Sequence, residues 1–193
     1  MMKLALFLSA IAGAAAFAPA SQSAVPTALS AKSDYGDDIG AQAPLGIWDP
    51  SSKLDLVDRT EFDRLRGVEL KHGRISMLGV VGYLTTYAGV RLPGLEDVPA
   101  GWAAWGALPQ EVAGQFVATL IFMEIANRDQ TGGKAEFEGD FRNGFIDFGW
   151  DKQSDAWKLK KRRIELNNGR AAQMGILGLM FHDALGNVSD ILP

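Results

Sequence analysis

The chain has 193 residues, a net charge of −4 and no cysteine; 47% of its residues are hydrophobic and 22% are charged. The missing cysteine excludes disulfides, thiolate metal centres and a catalytic thiol, and an acidic chain without a block of like charge argues against nucleic acid as a partner, because it repels phosphates. Bulk composition otherwise suits one ordinary domain, so the information lies in local patterns.

At the N-terminus, MMK is followed by LALFLSAIAGAAA, a charged n-region, a short apolar h-region and an Ala14–Ala16 cleavage site, which predicts a signal peptide over residues 1–16. The apolar run is shorter than the roughly twenty residues a membrane span needs, and it ends at small residues and Pro19. Residues 17–33 are rich in Ala, Ser, Pro and Thr, carry Lys32 and contain no acid, the composition of a plastid transit segment. Two targeting addresses in series therefore precede a domain over 34–193.

That domain contains three apolar segments, predicted as helices over about 61–90, 109–126 and 157–185. The first begins EFDRLRGVELKHGR and continues ISMLGVVGYLTTYAGV before Pro93 and Gly94; the third ends NNGRAAQMGILGLMFHDAL. None is a fully apolar twenty-residue span, so a membrane reading needs a role for the polar groups. Arg59, Arg64 and Arg66 precede the first segment and Lys158, Lys160, Lys161, Arg162 and Arg163 the third, whereas 92–109 has no Lys or Arg. Under the positive-side bias the first and third segments run the same way, and the second, followed by Arg128 and Lys134, returns between them. The expected fold is an all-α membrane protein with three transmembrane helices.

The first and third segments repeat one skeleton ninety-six residues apart: Glu69, Leu70, Gly73, Arg74, Gly79 and Gly82 recur as Glu165, Leu166, Gly169, Arg170, Gly175 and Gly178. On a helix Leu70, Gly73, Met77, Val81 and Leu84 form one stripe, matched by Leu166, Gly169, Gln173, Leu177 and Met180. A glycine on each stripe lets two helices cross closely. Glutamate and arginine five residues apart diverge by roughly 140° on one helix, a poor separation for pairing along it. Two helices crossed about a pseudo-two-fold would instead pair Glu69 with Arg170 and Glu165 with Arg74, neutralising four charges. The alternative is two solvated surface pairs of little energetic weight.

A carboxylate with one oxygen held by arginine offers its other oxygen to a hard divalent ion. His72 and Asn168 follow the two glutamates by three residues, roughly 60° around the helix and away from the crossing face. Ser76 and Gly79 beside His72, and Ala172 and Gly175 beside Asn168, leave room for a large flat ring. A magnesium tetrapyrrole needs one axial ligand, which imidazole, amide oxygen or a paired carboxylate can supply. His182 lies fourteen residues beyond Asn168 on nearly the same face, roughly 21 Å along the axis, and could hold another ring.

ELKHGRISM and ELNNGRAAQ resemble the paired signatures of the light-harvesting chlorophyll-binding family, with the resemblance running from about Gly40 to Leu185. AQAPLGIWDP before the first helix and GDFRNGFIDFGWD before the third resemble specifically the fucoxanthin chlorophyll a/c-binding proteins. That resemblance implies three thylakoid helices, the first and third crossed, in an alga with a secondary plastid. The implied cofactors are chlorophyll a, chlorophyll c and fucoxanthin or related xanthophylls, with the magnesium inside chlorophyll as the metal. Implied partners are thylakoid lipids, other antenna subunits in an oligomer, and photosystem I or II, to which excitation energy passes.

Carried over by position, the implied axial ligands are Glu69, His72, Glu165, Asn168 and His182, with Glu124 and Gln115 on the middle helix, and the interhelical arginines are Arg74 and Arg170. Trp48, Asp49, Phe148 and Trp150 stand where the family contacts carotenoid head groups; aromatic anchoring at the membrane interface is the other reading. The chain ends eight residues after Leu185, without the C-terminal amphipathic helix of the plant relatives. No catalytic residue is implied. A photoprotective energy quencher would use the same ligands. A di-iron carboxylate enzyme would share Glu69 and His72 but needs a second Glu-x-x-His where this chain has Asn168, and it gives Arg74 and Arg170 no role.

Overall fold

The computed structural model describes residues 35–126, 135–142 and 147–192, so the expected signal and transit segments lie outside the described residues. Its elements are helices α1 (Arg59–Tyr87), α2 (Ala103–Ala107), α3 (Gln110–Ala126) and α4 (Asp155–Leu185), with short 3-10 turns at Lys53–Asp55, Trp150–Lys152 and Val188–Asp190. Among the described residues there is no strand, only an isolated bridge between Gln42 and Gly46.

Local chemistry sets the ends. The Asp58 side chain accepts the Glu61 N–H at 2.8 Å and starts α1 two residues before the expected boundary. Ser154 caps α4 by accepting from Trp157, and Gly186 closes it at φ +72°, a left-handed conformation suited to glycine. The five-residue α2 was not expected; it lies between Gly101 and Pro109 in the apolar connection.

Helices α1 and α4 cross at the repeated glycines. A Cβ on Gly73 would sit 2.9 Å from the Gly169 Cα, and one on Gly169 would sit 3.0 Å from the Gly73 Cα. Leu70 and Leu166 are buried here with Ile39, 5%, 2% and 8% exposed respectively. Further along, Gly79 faces Ile176 and Gly175 faces Val80 at closely similar distances, 3.6 and 3.7 Å to the added carbon. Gly79 and Val80 are the repeat partners of Gly175 and Ile176, so the contacts exchange about a local two-fold.

No helix among the described residues is long and apolar enough to cross a membrane. The apolar helix α3 has only 17 residues, whereas α1 and α4, with 29 and 31, carry charged first halves. Helix hydropathy by itself therefore does not yield the three expected spans. Helix α3 buries no residue, and Phe116, Leu120, Ile121, Phe122 and Ile125 are all exposed.

Candidate functional site

The two arginines reach across the glycine crossing. Arg74 Nε donates to Glu165 Oε1 and Arg170 Nε donates to Glu69 Oε1, each at 2.6 Å. Close backbone approach at Gly73 and Gly169 makes this possible, because each glutamate points away from the arginine on its own helix. The four side chains are 27–40% exposed, so they flank the crossing rather than being sealed within it. Charge-assisted bonds of this kind are shorter and stronger than neutral ones.

The halves differ beyond these bonds. Arg66, 10% exposed, donates to the second oxygen of Glu69 through Nη1 and to Asp38 through Nη2. Sequence reasoning missed Arg66, although the ninety-six-residue spacing that relates the other groups also pairs it with Arg162. Arg162 instead lies over the Phe137 ring, 4.1 Å from its centroid, and bonds no carboxylate among the described residues. Among the described residues the second oxygen of Glu165 has no hydrogen-bond partner; at Glu69 that oxygen is taken by Arg66.

The loop before each crossed helix packs over the other one. The Gly40 carbonyl accepts from Arg170 Nη1 at 2.9 Å, and Asn167 Nδ2 donates to Gln42 Oε1 at 2.7 Å. On the opposite side Gly139, at φ +83°, rests on Leu70, and Arg74 lies over Phe141. Within that second loop, Asp140 is held at about 2, first by hydrogen bonds from Arg142 and also by backbone N–H donors, against the opposing effect of burial. Arg142 is raised in return, and Glu136 is lowered by hydrogen bonds from Trp150 and Lys158.

The single-donor groups lie on outer faces. His72 is exposed on α1; its Nδ1 bonds the Val68 carbonyl at 2.8 Å, so Nδ1 carries the proton and Nε2 offers a lone pair outward. His182 is half-buried, and its Nδ1 lies 3.0 Å from Asn187 Oδ1, which leaves Nε2 without a hydrogen-bond partner among the described residues. Asn168 is exposed on α4, and Gln115 is exposed on α3. Glu124 is exposed too, but Lys71 Nζ engages its carboxylate at 2.5 Å, an exposed pair that ties α3 to α1. At the far end Asp183, unanticipated, accepts from Tyr83 Oη at 3.0 Å and from the Trp102 N–H at 2.8 Å, joining α1, α4 and the start of α2.

The four loop residues divide by role. Asp49 accepts the N–H groups of Lys53 and Leu54, fixing a turn. Trp150 sits between Phe137 and Trp157 and donates Nε1 to Glu136 at 3.0 Å. Trp48 and Phe148 are 70% and 92% exposed, the latter at φ +51°. An open groove of about 850 Å³ runs from Trp48 along the 40–54 loop to Arg170 and Met174.

This donor set has a chemical meaning. Among the described residues no three His, Asp or Glu side chains come together as a centre for a bare ion, so the many-carboxylate constellation of a di-iron site is not assembled there. Imidazole nitrogen, amide oxygen and carboxylate oxygen are presented one at a time. That arrangement fits a metal arriving with an equatorial set of its own and lacking one axial bond.

The family described as Chlorophyll A-B binding protein matches residues 35–184. Fucoxanthin-chlorophyll a-c binding protein A, chloroplastic, of Phaeodactylum tricornutum is 53% identical over 201 residues, covering 100% of both chains. The fucoxanthin-chlorophyll a-c binding protein of Trieres chinensis is 46% identical over 96% of each chain. Protein B of that name from Macrocystis pyrifera is 45% identical over 91% of this chain and 85% of the relative.

Proposed function

Since this chain belongs to the chlorophyll a-b binding protein family, whose members bind pigment rather than catalyse a reaction, we propose that it is a light-harvesting antenna of the plastid thylakoid. It binds chlorophyll a, chlorophyll c and fucoxanthin or related xanthophylls and passes excitation energy to photosystem I or II, in company with other antenna subunits and thylakoid lipids. The full-length similarity to fucoxanthin-chlorophyll a-c binding proteins supports the pigment set. The observation that carries the reading is the crossed pair with its reciprocal Arg74–Glu165 and Arg170–Glu69 bonds, surrounded by outward single donors.

In this reading α1, α3 and α4 are the three membrane helices. At about 1.5 Å per residue, α1 and α4 exceed the roughly 30 Å hydrocarbon core. Their charged first halves become tolerable at depth because the charges are paired across the crossing. Glu165, Asn168, His72 and His182, with Glu69, Gln115 and Glu124, hold magnesium of the chlorophylls; Trp48 and Phe148 contact carotenoid ends. Bound pigments supply light absorption and exchange of excitation. The polypeptide fixes their separation and orientation through rigid helices, and no bond is made or broken.

The test is to isolate the mature protein from thylakoids in mild detergent and record absorption and fluorescence excitation spectra with pigment analysis. Carotenoid and chlorophyll c bands in the excitation spectrum of chlorophyll a emission support the antenna. Bound pigment with very short-lived emission points to a quencher, and a colourless, iron-containing protein refutes both.

A further inference from the structure

The repeat predicts two equivalent carboxylate sites, and the structure makes them unlike. At Glu165 one oxygen is held by Arg74, and the other has no partner among the described residues. At Glu69 one oxygen is held by Arg170 and the other by Arg66. Arg66 is nine-tenths buried, stacked over Phe62 and divided between Glu69 and Asp38. Its Nε is buried and has no hydrogen-bond partner among the described residues. A buried guanidinium donor left without an acceptor is costly, so an arrangement that supplied one would be favoured.

Asp38 has an oxygen that could serve as that acceptor. Asp38 Oδ1 already accepts Arg66 Nη2 and the Gly40 N–H, whereas its Oδ2 has only Arg59 Nη2 at 3.9 Å. Turning the guanidinium wholly onto Asp38 as a two-bond fork would give Nε an acceptor and would release the second oxygen of Glu69. Arg162, at the corresponding position of α4, lies over Phe137 and makes no such bond.

We propose that Asp38 and Arg66 are a positioning pair that makes magnesium ligation at Glu69 conditional on withdrawal of Arg66 onto Asp38, whereas Glu165 ligates without any such rearrangement. The inference rests on the ligand role proposed above for both glutamates. Without the Asp38 charge, Arg66 has Glu69 as its sole acidic partner and competes continuously with the metal. Without the Arg66 charge, the Glu69 oxygen is permanently available.

The experiment titrates the full mature chain with chlorophyll a, chlorophyll c and fucoxanthin, and reads chlorophyll bound per polypeptide together with helix content by circular dichroism. For Asp38→Asn, the chlorophyll concentration at half-occupancy of one site should rise roughly tenfold, about the effect of one charge-assisted bond, while helix content is unchanged. For Arg66→Gln, that concentration should fall below the wild-type value. Combining the two substitutions should restore occupancy lost in Asp38→Asn. If Asp38→Asn fails to assemble, the Arg66→Gln titration decides alone: an unchanged or higher half-occupancy concentration overturns the proposal, as does failure of the double variant to recover. A separate charge-neutral double substitution, Arg74→Leu with Glu165→Ala, removes the unconditional site and should lose one chlorophyll. Retention of every chlorophyll there would refute the ligand role itself.

Discussion

Changing Gly169 to alanine should force the crossed helices apart, and an identical change at Gly178 should not. The new methyl of Gly169→Ala lies 3.0 Å from the Gly73 Cα, against about 3.7 Å for an ordinary carbon contact, so the backbones must separate by roughly 0.7 Å. The ion pairs on either side start at 2.6 Å, and the same displacement carries both toward about 3.3 Å, outside the range of charge-assisted bonds. Around Gly178 nothing lies within 4 Å of an added carbon. Both substitutions gain about 1 kcal/mol of helix propensity, which cancels in their difference and leaves an overpacking cost of about 1–3 kcal/mol. For a chain of this size that is a separation of midpoints on the order of 5 °C. The assay is thermal unfolding of the two purified variants, followed by circular dichroism at 222 nm. If Gly169→Ala melts at or above Gly178→Ala, the helices do not meet at these glycines.

Arg74→Ala should impair assembly more than Arg170→Ala. The former strands Glu165 without any partner among the described residues, whereas Glu69 keeps Arg66 in the latter; the partial exposure of the groups reduces the cost from the 3–5 kcal/mol of a fully buried pair to about 2 kcal/mol, and the yield of pigmented complex measures it. His72→Ala should lose one chlorophyll with helix content intact, since its one side-chain bond is to Val68 of its own helix; loss of several pigments would refute the single-ligand role. Asp140 is lowered from 3.8 to about 2 by Arg142, so its contribution of about 2 kcal/mol is present above pH 4 and disappears as pH falls from about 4 toward 2. Arg142→Met should partly flatten the stability profile in that window, the backbone donors to Asp140 remaining, and should lower the stability between pH 5 and 8 without changing its slope there.

The crossing was legible because it obeys a repeat. Glycine, glutamate and arginine recur at one spacing, and only a two-fold pairing gives both charges partners. The expected helix starts, at about 61 and 157, fall two residues late because they take no account of the capping side chains of Asp58 and Ser154. What stayed hidden depends on residues outside the repeat. Arg66 and Arg162 share the spacing, yet Asp38 reaches one and Phe137 the other, from loops with no common pattern. Asp183 acquires its role from Tyr83 and Trp102, 100 and 81 residues distant. Helix α3 is mostly apolar and its few polar residues favour no one face, so the Lys71–Glu124 pair could not be foreseen from periodicity.

The distribution of polarity reconciles the hydropathy of the helices with a bilayer. A water-soluble helix pair hides its large apolar side chains and turns its charges outward. Here Leu78, Val81, Met174 and Phe181 are 62–75% exposed, while Glu69, Arg74, Glu165 and Arg170 meet one another beside the crossing. Hydropathy averaged along α1 or α4 counts the two such groups on each helix as separate charges, and neither helix is apolar enough to cross a membrane by that measure. In the fold they are two neutral pairs, and the cost of placing them in hydrocarbon is that of two bonded dipoles rather than four ions. On the membrane reading proposed above, pairing that only the tertiary structure supplies lowers the cost of placing these helices in a bilayer. The same reading couples the helices: α1 without α4 retains Glu69 and Arg74 without their interhelical partners, so on that reading each helix lowers the cost of placing the other in hydrocarbon.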